Sequence, residues 1–142
     1  MNLKTFKIEI PKEVLDDLQV RLARTRWSFD VGDAGWAKGT DLQYLKELMR
    51  YWRDDYNWAQ QEEELNRFNH FKSAIGEYGL HFIHQRGKCP HPTPVFLLPV
   101  WPDSFYHFYK IIPMLTNPSS LGQDSGHSFD VVIPLRRGET NE

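Results

Sequence analysis

In PKEVLDDLQVRLARTR, residues 11–26, the apolar positions Val14, Leu15, Leu18 and Leu22 recur at three- and four-residue steps while charged residues fill the gaps, the pattern of an amphipathic helix. Pro11 marks its start, because a first helical turn tolerates proline. A second stripe follows Asp41, with Leu42, Leu45, Leu48, Met49, Trp52 and Tyr56 at the same steps. Asp41 suits the cap, since its carboxylate can accept from the free N–H groups of a first turn. Asn57 suits the same role for WAQQEEELNRF, where Glu62, Glu63 and Glu64 complement the positive end of the helix and are expected to be solvated. Between the first two helices, WSFDVGDAGWAKGT carries three glycines and no period. This predicts a meandering loop pinned by the indoles of Trp27 and Trp36.

After Phe71 the pattern changes. FKSAIGEYGLHFIHQRG holds two short β-rich runs joined by Gly-Glu-Tyr-Gly, which predicts a hairpin. PVFLL is an apolar run of strand length that reads as a buried strand, and SFDVVIP is another. Between them Phe105, Phe108, Tyr109 and Ile112 stand at helical spacing, with Pro113 expected to kink or end the helix. Strand, helix and strand predict a βαβ unit and the beginning of a parallel sheet. Asp103 is expected to cap that helix, and Asp130 to face solvent or a turn. NPSSLGQDSGH reads as a surface connection, and LRRGETNE as a frayed end. The expected fold class is α/β, with a helical part over residues 1–70, an α/β part over 71–134 and a disordered tail over 135–142.

Composition narrows the function classes. The 142 residues are 40% hydrophobic and 14% aromatic, enough to bury a core. The formal charge is −2, with both signs interspersed, so nucleic acid is excluded as a partner for want of a concentrated basic face. Arg21, Arg24 and Arg26 are expected on the solvated side of the first helix. Cys89, the single cysteine, excludes an internal disulfide and a zinc site built from thiolates, and reads as a bland free thiol in a loop. The start has no apolar leader segment, and no apolar run approaches the roughly 18 residues that span a bilayer. A soluble cytoplasmic protein with no membrane partner is the expectation.

His81 and His84 in LHFIH invite a metal reading. Residues three apart on a strand point to opposite faces, so these two cannot chelate one ion. His70, His91, His107 and His127 have no ligand spacing, and no metal is expected. No G-x-S-x-G elbow occurs, nor any glycine-rich phosphate loop of the dinucleotide or P-loop type. What remains is the proline-flanked turn in VFLLPVWPDSF, residues 95–105, at the end of a predicted strand.

The segments FKIEIP, LDDLQVRLARTRW, GWAKGTDLQYLKELMRYWRDDYNW, LNRFNHF, GLHFIH, WPDSFYHFYKIIPMLTNP and FDVVIP together span residues 6–134. In them the chain resembles the N-terminal part of microsomal-type epoxide hydrolases, members of the α/β-hydrolase superfamily. The resemblance implies a helical and meandering extension followed by the first strands and helix of an incomplete α/β-hydrolase fold. It implies a reaction, hydrolysis of an epoxide to a vicinal diol without metal or organic cofactor. In that family the turn after the buried strand reads His-Gly-Trp-Pro, and the N–H at the tryptophan position helps stabilise the anion formed when an aspartate attacks the epoxide. Here Trp101 and Pro102 match, while Pro99 and Val100 replace the His-Gly pair, which leaves the Trp101 amide as the oxyanion-hole equivalent.

That exchange has physical consequences. Valine resists the positive φ that glycine adopts cheaply, and Pro99 has no N–H to donate. The family's aspartate nucleophile, its two lid tyrosines and its acid–histidine pair belong to segments with no counterpart in these 142 residues. The expectation is therefore a truncated relative, a gene remnant or frameshifted fragment, inactive on its own and meeting an epoxide only if completed. The alternative is a non-catalytic binding or assembly module, or half of a split enzyme. Either would self-associate or take a complementary hydrolase chain through an exposed sheet edge.

Overall fold

The computed structural model describes residues 3–28, 35–76, 78–122 and 126–135. It divides into two compact units, residues 9–64 and residues 1–8 with 65–142.

The first unit carries α1 (Lys12–Ala23), α2 (Leu42–Asp54) and most of α3 (Trp58–Leu65). Leu22 is buried and Leu15 and Leu18 are half-buried, but Val14 lies in solvent. The packed stripe of α1 is thus narrower than its sequence pattern. Arg21, Arg24 and Arg26 are exposed, as expected. Asp41 caps α2 by accepting from the Tyr44 N–H at 2.7 Å. Asn57 caps α3 by accepting from the Gln60 N–H at 3.2 Å. Glu62 is not merely solvated: one carboxylate oxygen accepts from the Ile10 N–H at 2.8 Å and the Trp58 indole at 3.1 Å. The expected pinning by Trp36 also needs correction, since this side chain is 62% exposed, with the Tyr44 ring 5.1 Å away.

The second unit is built on a five-stranded mixed sheet in the order β1-β2-β3-β5-β4. Its strands are β1 (Lys4–Phe6), β2 (His70–Ile75), β3 (Tyr78–Gln85), β4 (Thr93–Phe96) and β5 (Phe129–Pro134). The predicted hairpin is β2 with β3, in a register that pairs Ile75 with Tyr78. Tyr78 therefore belongs to the strand rather than the turn, and Gly76 supplies a positive φ of 62° there. The β4–β5 pair is parallel as predicted, but every other pair is antiparallel.

Two placements differ from expectation. β5, the last strand among the described residues, lies inside the sheet, so the edges are β1 and β4. In addition, β1 is a strand that the short segment before Pro11 does not advertise. It is continued by a side chain, for Asn66 accepts from the Ile8 N–H at 2.9 Å and donates to the Ile8 carbonyl at 2.8 Å.

The core lies on one face of this sheet, where Ile83, Val131, Ile133, Ile112, Phe105 and Leu135 are buried together. The predicted helix after β4 is broken into a 3-10 turn, Phe105–Phe108, and α4, Ile111–Thr116. Pro113 does not end α4. It occupies the first turn, where an N–H has no intrahelical acceptor to lose. The predicted tail begins with an ordered residue, because Leu135 is buried and donates to the His81 carbonyl at 2.9 Å. The rest of that tail lies outside the described residues.

Candidate functional site

The turn over residues 97–104 starts at the carboxyl end of β4. The Leu97 N–H donates to the Val132 carbonyl at 2.9 Å, which ties the start of the turn to β5. Pro99 is buried, and then the chain swings outward, leaving Val100 76% and Trp101 75% exposed. The Trp101–Pro102 peptide is cis. Asp103 N–H closes the turn on the Val100 carbonyl at 2.7 Å. Among the described residues no acceptor takes the Trp101 N–H. Among the described residues no non-glycine residue has a positive φ, so Val100 is accommodated in an ordinary conformation.

Beyond the turn, Ser104 rather than Asp103 caps the 3-10 segment, accepting from the Tyr106 N–H at 3.2 Å. The shorter serine reaches a donor two residues on, whereas the Asp103 carboxylate instead meets His107 Nδ1 at 3.2 Å. Phe105 then enters the core. The turn is thus rooted at Leu97, Pro99 and Phe105, with its tip in solvent.

In VFLL the strand reading holds for Val95 and Phe96, and the expected burial fails at Phe96 and Leu98. Phe96 is 61% and Leu98 63% exposed. Phe96 pairs in register with Val132, and Val95 with the fully buried Val131. Alternation therefore sends Phe96 to the face away from the core, and an edge position leaves it uncovered.

Histidines divide as the strand period requires. His84 lies on the outer face near Phe71, while His81 is buried on the inner face. Sequence spacing missed the partner of His81. His70 on β2 is also buried, and its Nδ1 lies 3.0 Å from His81 Nε2. Burial lowers the pKa of both, that of His81 to about 4. The hairpin register could have found this pair, since pairing Ile75 with Tyr78 places 70 diagonal to 81 on one face.

At the other end of β5, Asp130 does not face solvent. Its carboxylate accepts from the Gly87 N–H at 2.8 Å and from Arg86 at 3.1 Å. Nearby, the Ser128 hydroxyl accepts from the Cys89 N–H at 2.9 Å and lowers the pKa of the Cys89 thiol. This knot joins the loop after β3 to β5 and presents no converging acid, base and nucleophile. Among the described residues no cluster of three metal-ligating side chains occurs, and no helix is long and apolar enough to cross a membrane.

Comparison with known proteins places these features. A family model described as the epoxide hydrolase N terminus matches residues 3–108. A putative epoxide hydrolase of Stigmatella aurantiaca is 38% identical over 133 residues, covering 94% of this chain and 30% of the relative. Epoxide hydrolase 1 of Oryctolagus cuniculus is 37% identical over 139 residues, with the same 94% and 30% coverage. The crystal structure of juvenile hormone epoxide hydrolase from the silkworm Bombyx mori matches with a TM-score of 0.83 at 27% identity, over 94% of this chain and 36% of that one. The chain spans about 30% of the length of the curated relatives it matches.

Proposed function

The chain belongs to the epoxide hydrolase N-terminal family, and from that premise we propose that it supplies the opening part of an epoxide-hydrolysing fold without being a complete catalyst. The reaction of that fold is the opening of an epoxide to a vicinal diol. The helical unit over residues 9–64 is the extension, and the sheet unit, residues 1–8 with 65–134, begins the hydrolase core. The turn over 97–104 is the site element, with the Trp101 N–H donating to negative charge that builds up as the substrate reacts.

One observation carries this reading: an N–H without an acceptor is held at the carboxyl end of an edge strand whose parallel neighbour is interior. Ligands of open α/β sheets bind beyond the carboxyl ends of strands, where the strand order reverses. A strand added outside β4 creates that reversal beside Trp101. The residues present cannot complete the chemistry. Ring opening needs a nucleophile on carbon and a donor to the departing oxygen, and the Asp103–His107 pair is the only acid–base contact near the turn among the described residues. The missing groups come from a complementary hydrolase segment that pairs with β4, in a cytoplasmic setting that suits a chain with one cysteine.

Turnover of a styrene-type oxide tests this. The 142-residue chain alone is expected to show none. Mixing it with a polypeptide that spans the remainder of a relative is expected to restore diol formation. Diol formation by the chain alone, or a covalent adduct between it and the epoxide, overturns the proposal.

A further inference from the structure

Buried histidine pairs are usually read as packing, but this one has a defined proton arrangement. His70 Nε2 lies 2.9 Å from the Leu65 carbonyl, and a carbonyl oxygen can only accept. The proton of His70 is therefore on Nε2, which leaves Nδ1 a bare lone pair. His81 Nε2, 3.0 Å from that lone pair, must carry a proton and donate it. Both rings are neutral, and both tautomers are fixed.

The two rings grip one side chain. Phe105 meets His70 edge-on at 5.3 Å and His81 at 6.4 Å, while Phe6 closes the other side of His81 at 4.7 Å. Phe105 is also where the turn over 97–104 re-enters the fold, one residue after its Ser104 cap. We infer that the His70–His81 pair is a positioning device for the turn that carries Trp101, acting through Phe105 and released by protonation.

The surroundings dictate the direction of the switch. On β2, Lys72 lies opposite His81 in register, and its Nζ sits 4.2 Å from the Phe6 ring centroid. On β1, Lys4 is paired with Lys72 on the same face. The end of α3 contributes the Leu65 carbonyl. The segment after the turn contributes Phe105, with the Asp103–His107 pair at the surface. A proton added to His81 thus appears beside lysines. A proton added to His70 Nδ1 sets two donors against each other and breaks the pair. Acid therefore loosens the grip on Phe105, while neutral solution keeps it closed.

For its catalytic consequence the inference rests on the turn being the site. The coupling itself is read without turnover, so an inactive chain leaves it standing. Heteronuclear NMR of the 142-residue protein across an acid titration tests it. The Trp101 indole and the Val100 and Trp101 amides are expected to shift with the same midpoint as His81, below the ordinary histidine range. Amides on the outer face of the hairpin should stay unchanged through that step. His81→Gln keeps a donor to His70 without a titrating ring at position 81, and should shift the Trp101 midpoint to that of His70. Phe105→Leu should leave the His81 titration in place and uncouple Trp101 from it. Trp101 signals that ignore the His81 titration overturn the inference, as does an unchanged acid response in either variant.

Discussion

Gly87 is a position where a single added carbon should be costly, for a reason of space rather than conformation. A Cβ built there lies 2.6 Å from Pro92 Cβ, 2.6 Å from Ser128 Oγ and 3.0 Å from the Phe129 carbonyl. Carbon atoms in contact sit about 3.5–4.0 Å apart, so Gly87→Ala must open the site by roughly 1 Å. None of the three neighbours yields easily. Pro92 is a closed ring, Ser128 holds the Cys89 N–H, and Phe129 is paired in register with Thr93. Overpacking of this kind costs about 1–3 kcal/mol. If the shift also breaks the 2.8 Å bond from the Gly87 N–H to Asp130, a hydrogen bond to a charged group adds about 1.5–3 kcal/mol. The expected loss is therefore about 3 kcal/mol, read as a lowered midpoint in urea unfolding followed by circular dichroism. Gly122→Ala is the control, because Gly122 has φ 74° but nothing within 4 Å of an added Cβ. It should cost only the left-handed penalty, about 1–2 kcal/mol. A Gly87→Ala midpoint no lower than that of Gly122→Ala would refute the packing argument.

Other substitutions probe the rest of the fold. Burial, then the charges of His70 and Lys72, hold His81 at about 4 when folded, below its unfolded value of about 6.5, so its neutral form stabilises the fold. That stability is complete above about pH 6.5 and is lost as pH falls toward 4, by at most about 3 kcal/mol. Urea midpoints that fall equally in wild type and His81→Gln would contradict it. Asn66→Ala strands the Ile8 N–H and carbonyl together, and should cost about 2 kcal/mol and speed hydrogen exchange at Ile8. Ile112→Ala empties a fully buried site under the sheet and should cost about 2–5 kcal/mol in the same unfolding assay. In a completed hydrolase, Trp101→Pro removes the turn's donor and should lower kcat about 10²–10³-fold, whereas Trp101→Ala keeps the N–H and should lose far less.

How much of this was legible in the sequence depends on whether an element is fixed locally. The caps at Asp41 and Asn57, the hairpin and the two strands around the turn all follow from short-range chemistry, and all are present. The misreadings share another cause. The burial of VFLL was inferred from apolarity, but coverage of Phe96 and Leu98 depends on which strand lies at the edge, a long-range fact. β1 is three residues long and owes its existence to pairing with β2 and to the Asn66 clamp, neither of which has a local pattern. Asp130 reads as facing solvent or a turn, and only the fold decides for the turn, by bringing Gly87, 43 positions earlier, against it. The His70–His81 pair was missed because ligand spacing was sought along one strand, when the useful geometry runs across two.

Pro99 and Val100, which stand where the family has His-Gly, are accommodated in ordinary backbone conformations. Val100 needs no left-handed conformation, Pro99 turns its missing donor into buried packing, and the Trp101 N–H keeps an open side. The limiting feature of the site is what faces that amide. One wall is made by β4 and its turn. The opposing wall must come from whatever pairs with the free edge, because β5 already occupies the inner side of β4. Strand order therefore couples the two open questions of this chain. A partner that adds a parallel strand at Thr93–Phe96 covers the edge and in the same movement brings its own strand end within reach of Trp101. A partner that covers only the outer face, over Phe96 and Leu98, would satisfy the apolar surface and leave the amide unused. Under the proposed function, edge pairing is thus the geometric condition for chemistry at this turn. Hydrogen-exchange protection of β4 amides on mixing should rise together with diol formation, and protection without turnover would place the partner's reacting groups elsewhere.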